Sequence, residues 1–136
     1  MTTPEAAFYG VRYFEIPVSD LKRAIAFYER VFELRLVQQI VDDYPMALFP
    51  ETSDGMGASG ALAQGDVYVP GKRGPIVYFT VADLERTLAR SRNQNATLLL
   101  APTDVPGQGT VAEIEDSEGN RIAVFQPIEQ GDSPPP

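Results

Sequence analysis

The chain has 136 residues, a formal net charge of −8, and no histidine, cysteine or tryptophan. The missing cysteine excludes disulfides, thiolate nucleophiles and thiolate metal sites. The missing histidine excludes Ser-His-Asp and Cys-His chemistry and removes the commonest metal ligand. With 11 Lys and Arg against 19 Asp and Glu, there is no basic surface for a phosphate backbone, and no nucleic-acid partner is expected.

No apolar run approaches the roughly 20 residues of a membrane helix. The opening MTTPEAAFYG has no basic region followed by an apolar block. The expectation is a cytoplasmic protein with no membrane partner. Acidity favours solubility, and it would also attract a cationic ligand.

Residues 1–9 read as a lead-in. GVRYFEIPV, residues 10–18, alternates, with Phe14, Ile16 and Val18 on one side and Tyr13, Glu15 and Pro17 on the other. Asp20 is a helix N-cap, since its carboxylate can accept from amides of the first turn. Leu21, Ala24, Ile25, Tyr28, Val31 and Phe32 then repeat at helical spacing. LRLVQQIV and YPMALF read as strands, PETSDGMGASG as a hairpin or loop, and GALAQ as a short strand. GDVYVPGKRGP, residues 65–75, is a Gly/Pro-rich connector.

The pattern then restarts. Val77, Phe79 and Val81 alternate with Ile76, Tyr78 and Thr80; Asp83 caps a second helix carrying Leu84, Leu88 and Ser91. NQN at 93–95 is a turn, because Asn tolerates left-handed backbone angles. ATLLLAP, TVAEIED and NRIAVFQP read as strands, DSEGN at 116–120 as a hairpin turn, and 129–136 as a disordered tail. The two halves align. Val18, Asp20, Leu21, Arg23 and Ala26 match Val81, Asp83, Leu84, Arg86 and Ala89, SDG at 53–55 matches SEG at 117–119, and ALAQ at 61–64 matches AVFQ at 123–126. The expected class is α+β, with one βαβββ module at 10–64 and a second at 76–128. A four-stranded sheet with one helix leaves a face bare, and the other copy is the obvious cover.

FEIPVSDLKRAIAFYERVF resembles the opening of vicinal oxygen chelate proteins, the superfamily of glyoxalase I, extradiol dioxygenases, fosfomycin-modifying enzymes and bleomycin-resistance proteins. VYFTVADLERTLAR and EDSEGNRIAVFQP resemble the matching second-half segments. The resemblance covers about residues 8–128. It implies two tandem βαβββ modules curving into a U-shaped cleft, the glyoxalase/bleomycin resistance fold, and frequent pairing into homodimers. In metal-dependent members His and Glu ligands come from the first and last strands of the modules. The resemblance carries those places onto Tyr13, Ala61, Ile76 and Ala123. None is a histidine or carboxylate, whereas a divalent site needs oxygen or imidazole ligands. No metal and no cofactor are therefore expected.

The alternation gives the cleft a mostly apolar and aromatic lining: Tyr13, Glu15, Ala61, Ile76, Tyr78, Arg121, Ala123 and Phe125, with Pro17, Thr80, Ser59 and Ala63 on the same faces. The two alanines leave space, to be kept as a larger pocket or filled by neighbours. Glu15 is the candidate acid or base, since an inward carboxylate must be paired or solvated, and Arg121 is its expected partner. Glu113 and Glu115 lie in another alternating strand, where the sequence leaves open which faces inward. Besides a module whose main role is association, with the apolar stretch around LRLVQQIV as its edge, two functions follow. One is a metal-free small-molecule binder of the bleomycin-resistance type, taking a cationic or aromatic ligand. The other is a glyoxalase-like lyase or isomerase, or a dioxygenase, with a non-standard or relocated site.

Overall fold

The computed structural model describes residues 10–51 and 57–128. The lead-in, the SDG motif and the tail beyond Ile128 lie outside the described residues. Module one runs β1 (Tyr13–Val18), α1 (Leu21–Phe32), β2 (Val37–Val41), β3 (Tyr44–Leu48) and β4 (Ser59–Gln64). Module two runs β5 (Val77–Thr80), α2 (Leu84–Asn93), β6 (Leu98–Val105), β7 (Gly109–Glu115) and β8 (Arg121–Pro127). The two sheets have the same order, β1-β4-β3-β2 and β5-β8-β7-β6. In each, the first strand pairs in parallel with the last, setting Glu15 opposite Ala61 and Tyr78 opposite Ala123.

The repeated residues make repeated bonds. Asp20 Oδ1 accepts from Arg23 N at 3.1 Å, and Asp83 Oδ1 accepts from Arg86 N at 3.1 Å. The glutamine ending each ALAQ/AVFQ motif does the same work twice. Gln64 Oε1 accepts from Leu21 N and Gln126 Oε1 from Leu84 N, both at 2.7 Å. Each helix start is thus tied to the end of its own module's last strand, which satisfies another amide left free in the first turn.

Helix α1 buries Leu21, Ala24, Phe27, Tyr28 and Val31. Phe27 joins the expected face, while Ile25 and Phe32 pack at its margin. Helix α2 buries two polar residues with its leucines, and each is satisfied locally: Thr87 Oγ1 donates to Asp83 O at 3.0 Å and Ser91 Oγ to Leu88 O at 2.7 Å. Asn95 is left-handed, at φ 63, in the turn foreseen at 93–95. Asp42 and Asp43 both have positive φ, 50 and 68, and form the two-residue turn between β2 and β3.

Several strands differ from their expected extents: β1 begins at Tyr13 rather than Gly10, and the changes in β2 and β6 have visible causes. β2 begins at Val37 rather than Leu34, because Glu33 closes α1 in a left-handed conformation and Leu36 N is taken by Glu29 Oε2. β6 starts two residues later and runs on past Pro102 to Val105. It is an edge strand with register shifts between Leu98 and Thr103, so a missing proline N–H is tolerated there.

The modules bury one another through their helix-side faces. One core contains Ile16, Val18 and Leu62 from module one with Ile114, Ile122 and Val124 from module two. Partly buried aromatic rings interlock against it: Phe32 lies 4.8 Å and Phe49 5.5 Å from Phe79, and Phe14 meets Phe79 edge-on at 5.9 Å. The opposite face of sheet one is covered differently. Met46, Ala61 and Ala63 form a small buried cluster under Tyr44, Leu48 and Tyr68, all from module one or the connector. The second copy does not supply that cover, because its apolar face is already used by the shared core.

The hairpin 116–120 of module two reaches into module one. Tyr28, fully buried, donates its hydroxyl to Asp116 Oδ2 at 2.6 Å. Asn120 Nδ2 donates to Pro17 O at 2.8 Å and to Asp116 Oδ2 at 3.0 Å. Glu118 forks onto Arg23, at 2.8 Å to Nε and 3.0 Å to Nη2. Its Oε1 also accepts from Ser19 N and Asp20 N, both at 2.9 Å, so a carboxylate of module two sits at the start of α1, where the helix dipole favours it. Burial acts to raise the Glu118 pKa, but Arg23, the two backbone amides and Ser117 together hold it below the ordinary value.

Two stability predictions follow from these bonds. Tyr28→Phe leaves a buried Asp116 oxygen with one donor fewer and should cost about 1–3 kcal/mol in urea unfolding at neutral pH. Glu118→Gln should cost about 1.5–3 kcal/mol under the same conditions. Because the folded-state pKa of Glu118 lies below its unfolded value, its contribution is full above the ordinary carboxylate range and disappears as pH falls through the depressed value. The stability gap between wild type and Glu118→Gln should therefore close on acidification; a gap constant down to strong acid would contradict the ion-pair account.

Candidate functional site

On β1, odd-numbered residues point away from the shared core. This places the Glu15 carboxylate beside Tyr13 and beneath Tyr68 of the connector. Tyr13 donates to Glu15 Oε2 at 3.0 Å, and Tyr68 donates to Glu15 Oε1 at 2.9 Å. The Tyr13 hydroxyl also lies 4.0 Å from Met46 Sδ. Tyr68 is fixed in turn by an edge-to-face contact with Tyr44, with ring centres 5.3 Å apart. Gly65 makes room for that pair, since a Cβ there would stand 2.3 Å from Tyr44 Cδ1.

The sequence pointed to Arg121 as the partner of Glu15. The structure gives Arg121 instead to Glu113 across the β7–β8 ladder, and Lys72 to Glu115 at 3.1 Å. Glu113 and Glu115 are two residues apart on one strand while Ala112 and Ile114 enter the core, so both glutamates take the opposite face.

A cavity of about 650 Å³ opens between the modules. Its apolar walls come from β1 at Pro17, from β5 at Val77, from β8 at Ile122, and from Val69, Pro70 and Pro75 of the connector. Its polar groups are Glu15, Lys72, Arg73, Asn120 and Arg121. Asn120 is the anchor of the connector, since its Oδ1 accepts from Gly71 N at 2.9 Å while its amide nitrogen holds Pro17 and Asp116. A smaller cavity of about 480 Å³ lies between Gly10–Arg12 and Gly57–Ser59; of the residues expected on the cleft faces, Ser59 lines it.

Of the expected cleft residues, Glu15, Pro17 and Arg121 line the larger cavity. Tyr13 belongs to the same constellation through Glu15 and remains 45% exposed. Ala61 is fully buried beneath Met46, Tyr44 and Tyr68, so the room its small side chain leaves is filled by neighbours. Ala123 is likewise fully buried. Ile76 stands half-buried one residue before β5. Tyr78 is 57% exposed, and Phe125 is half-buried opposite Thr80 and Val111; neither lines the cavity. The residues that sequence reasoning missed are Tyr68, Met46 and the connector's cavity wall. The one available signal was the VYV alternation inside a segment otherwise dominated by Gly and Pro.

The four places at which the family resemblance implies a metal do not fit one. Two are buried methyl groups, one is an isoleucine, and the fourth is a phenol already donating to Glu15. Among the described residues no three carboxylates converge as a metal site. The tyrosine hydroxyls are tuned as donors. Tyr13 is pushed up to about 12, first by burial and then by its bond to Glu15 and the charge there. Tyr68 is also raised, chiefly by its bond to Glu15 and then by burial. Both phenols stay protonated at neutral pH.

Residues 10–124 match the family model for the Glyoxalase/Bleomycin resistance protein/Dioxygenase superfamily. Among solved structures, the chain resembles TnmS3, an antibiotic binding protein from Streptomyces sp. CB03234, with 25% identity, a TM-score of 0.66, and coverage of 91% of this chain and 100% of that one. It shares the fold of TioX from Micromonospora sp. ML1, at 21% identity and TM-score 0.62, covering 88% of this chain and 99% of that one. It also shares the fold of a glyoxalase/bleomycin resistance protein/dioxygenase family enzyme from Burkholderia phytofirmans PsJN, at 19% identity and TM-score 0.65, covering 85% of this chain and 97% of that one. No curated protein matches the chain.

The phenol constellation can be titrated directly. In ultraviolet pH titrations, the difference between wild type and Tyr13→Phe should show one phenol ionising near 12. The same difference in a Glu15→Gln background should move down toward the ordinary 10.0, stopping short because burial remains. Identical titrations in the two backgrounds would show that Glu15 does not hold the Tyr13 proton.

Proposed function

Because the chain belongs to the Glyoxalase/Bleomycin resistance protein/Dioxygenase superfamily, we propose that it is a metal-free small-molecule-binding protein of the antibiotic-binding kind. The observation that carries this reading is the cavity of about 650 Å³ between the modules; in support, Tyr13, Ala61, Ile76 and Ala123, to which the resemblance carries the family's metal ligands, include no histidine or carboxylate. That volume is in the range of small-molecule sites, as is a mainly apolar wall with a few polar groups. The likeness to an antibiotic binding protein over nearly the whole chain supports the same reading.

Binding would draw on burial of apolar ligand surface against Pro17, Val69, Pro75, Val77 and Ile122, at roughly 25 cal/mol per Å² removed from water. The polar groups would orient the ligand. Glu15 already accepts a hydroxyl on each oxygen, which suits a fixed wall that presents a charge without chemistry. One observation favours the enzymatic alternative: that same carboxylate borders the cavity, where a general acid or base would have to stand.

Thermal-shift measurement against a library of antibiotics and aromatic metabolites tests the binder. At a hundredfold excess over Kd a true ligand adds about 2.7 kcal/mol of stability and a clear rise in Tm. Elemental analysis after incubation with Zn, Ni, Mn and Fe should find no stoichiometric metal. A tightly held metal whose removal abolishes a turnover, or a turnover abolished by Glu15→Gln in a folded protein, would establish the enzyme instead.

A further inference from the structure

The net charge of −8 suggests a cationic ligand, but the cavity's own groups point the other way. Three of its five polar residues are basic: Lys72, Arg73 and Arg121. Lys72 and Arg121 are neutralised by Glu115 and Glu113, yet each keeps N–H donors beyond that one contact. Among the described residues Arg73 has no carboxylate partner at all, so its five donors face the cavity mouth and solvent. Acceptors are scarcer. Both Glu15 oxygens are engaged by tyrosines, and the Asn120 side-chain oxygen is taken by Gly71 N. The cavity offers a surplus of donors over an apolar floor.

Resting on the binding function proposed above, we infer that this cavity takes an apolar molecule bearing an oxyanion (a carboxylate, sulfonate or phenolate), with Arg73 as the residue that receives the charge. A cation there would meet three basic side chains, while the one carboxylate on the wall, Glu15, already accepts a tyrosine hydroxyl on each oxygen. An oxyanion would pair with the one basic group of the cavity that has no carboxylate partner among the described residues. Arginine suits the role, because its planar fork binds a carboxylate or sulfonate through two parallel bonds. The overall negative charge slows the approach of such a ligand without deciding its affinity, since charges beyond about 8 Å are largely screened at physiological salt.

The test uses two dyes on the full chain at physiological salt: anionic 8-anilinonaphthalene-1-sulfonate and cationic thioflavin T, each followed by fluorescence titration. Val69→Trp fills the cavity from its connector wall and reports whether a dye sits there. The expected result is saturable binding of the sulfonate dye, lost in Val69→Trp and about tenfold weaker in Arg73→Gln, where a charge-assisted pair is removed. Arg73 is exposed, so its substitution should leave Tm unchanged. Tighter binding of thioflavin T than of the sulfonate dye, abolished by Val69→Trp, would overturn the assignment of charge while leaving the binding function intact. Sulfonate binding indifferent to Arg73→Gln would do the same. Binding of either dye unaffected by Val69→Trp, or no binding of either, would overturn the inference together with the binding site on which it rests.

Discussion

The structure depends on how the hairpin 116–120 is held inside module one. Tyr28 is wholly buried in the helix that carries module one's core, and its hydroxyl has to find an acceptor there. The acceptor is a carboxylate from the other half of the chain. Asp116 is itself almost fully buried and is repaid for its desolvation by the amides of Glu118 and Asn120, the Asn120 side chain and Tyr28. A donor and an acceptor that would each be costly alone thus become a fixed joint between modules. The aromatic core supplies the larger hydrophobic term, but rings tolerate sliding. The bonds from Asp116, Glu118 and Asn120 set the angle at which the halves meet, and with it the gap between β1 and β8 that becomes the cavity.

Much of this architecture was legible in the sequence. The two-residue alternation of FEIPV and the Asp caps are local signals, and each corresponds to a local bond. The repeated glutamines were visible as a match between ALAQ and AVFQ. Their role was not, because a side chain that closes a strand onto a helix start leaves no periodic trace. Glu118 was invisible for a related reason: it lies 95 residues from Arg23, and a turn motif reads the same whether or not it docks elsewhere. The same limit explains the misplaced partner of Glu15. Face parity correctly put Glu15 and Arg121 on the open sides of their strands. It carried no information on distance, and Glu113 sits on the neighbouring strand of Arg121's own sheet.

Ala61 and Ala123 bring neither donor atoms nor bulk to the last strands of the two modules. At Ala61 the vacancy was taken up by Met46, Tyr44 and Tyr68, a flexible thioether and two rings that interlock. The polar centre lies at Glu15 of β1 and in the connector. The connector, which composition alone marks as a mere spacer, supplies both a tyrosine to the carboxylate and a wall to the cavity.

The parallel pairing of β1 with β4 has a consequence for how the chain comes off the ribosome. Tyr13 finds its partner only at Ser59, and β1 precedes the other described strands in the chain. At roughly 5–20 residues per second, β1 waits several seconds for β4 to emerge. The hairpin that satisfies Tyr28 comes 88 residues after it. Module one therefore holds β1 unpaired until β4 is made and the Tyr28 hydroxyl unanswered until Asp116 follows, and it reaches its final form only when module two is nearly complete. A truncation before Ser59 would release a half-built first sheet whose open edge favours pairing with another chain. The hairpin at 116–120 is what closes the first module.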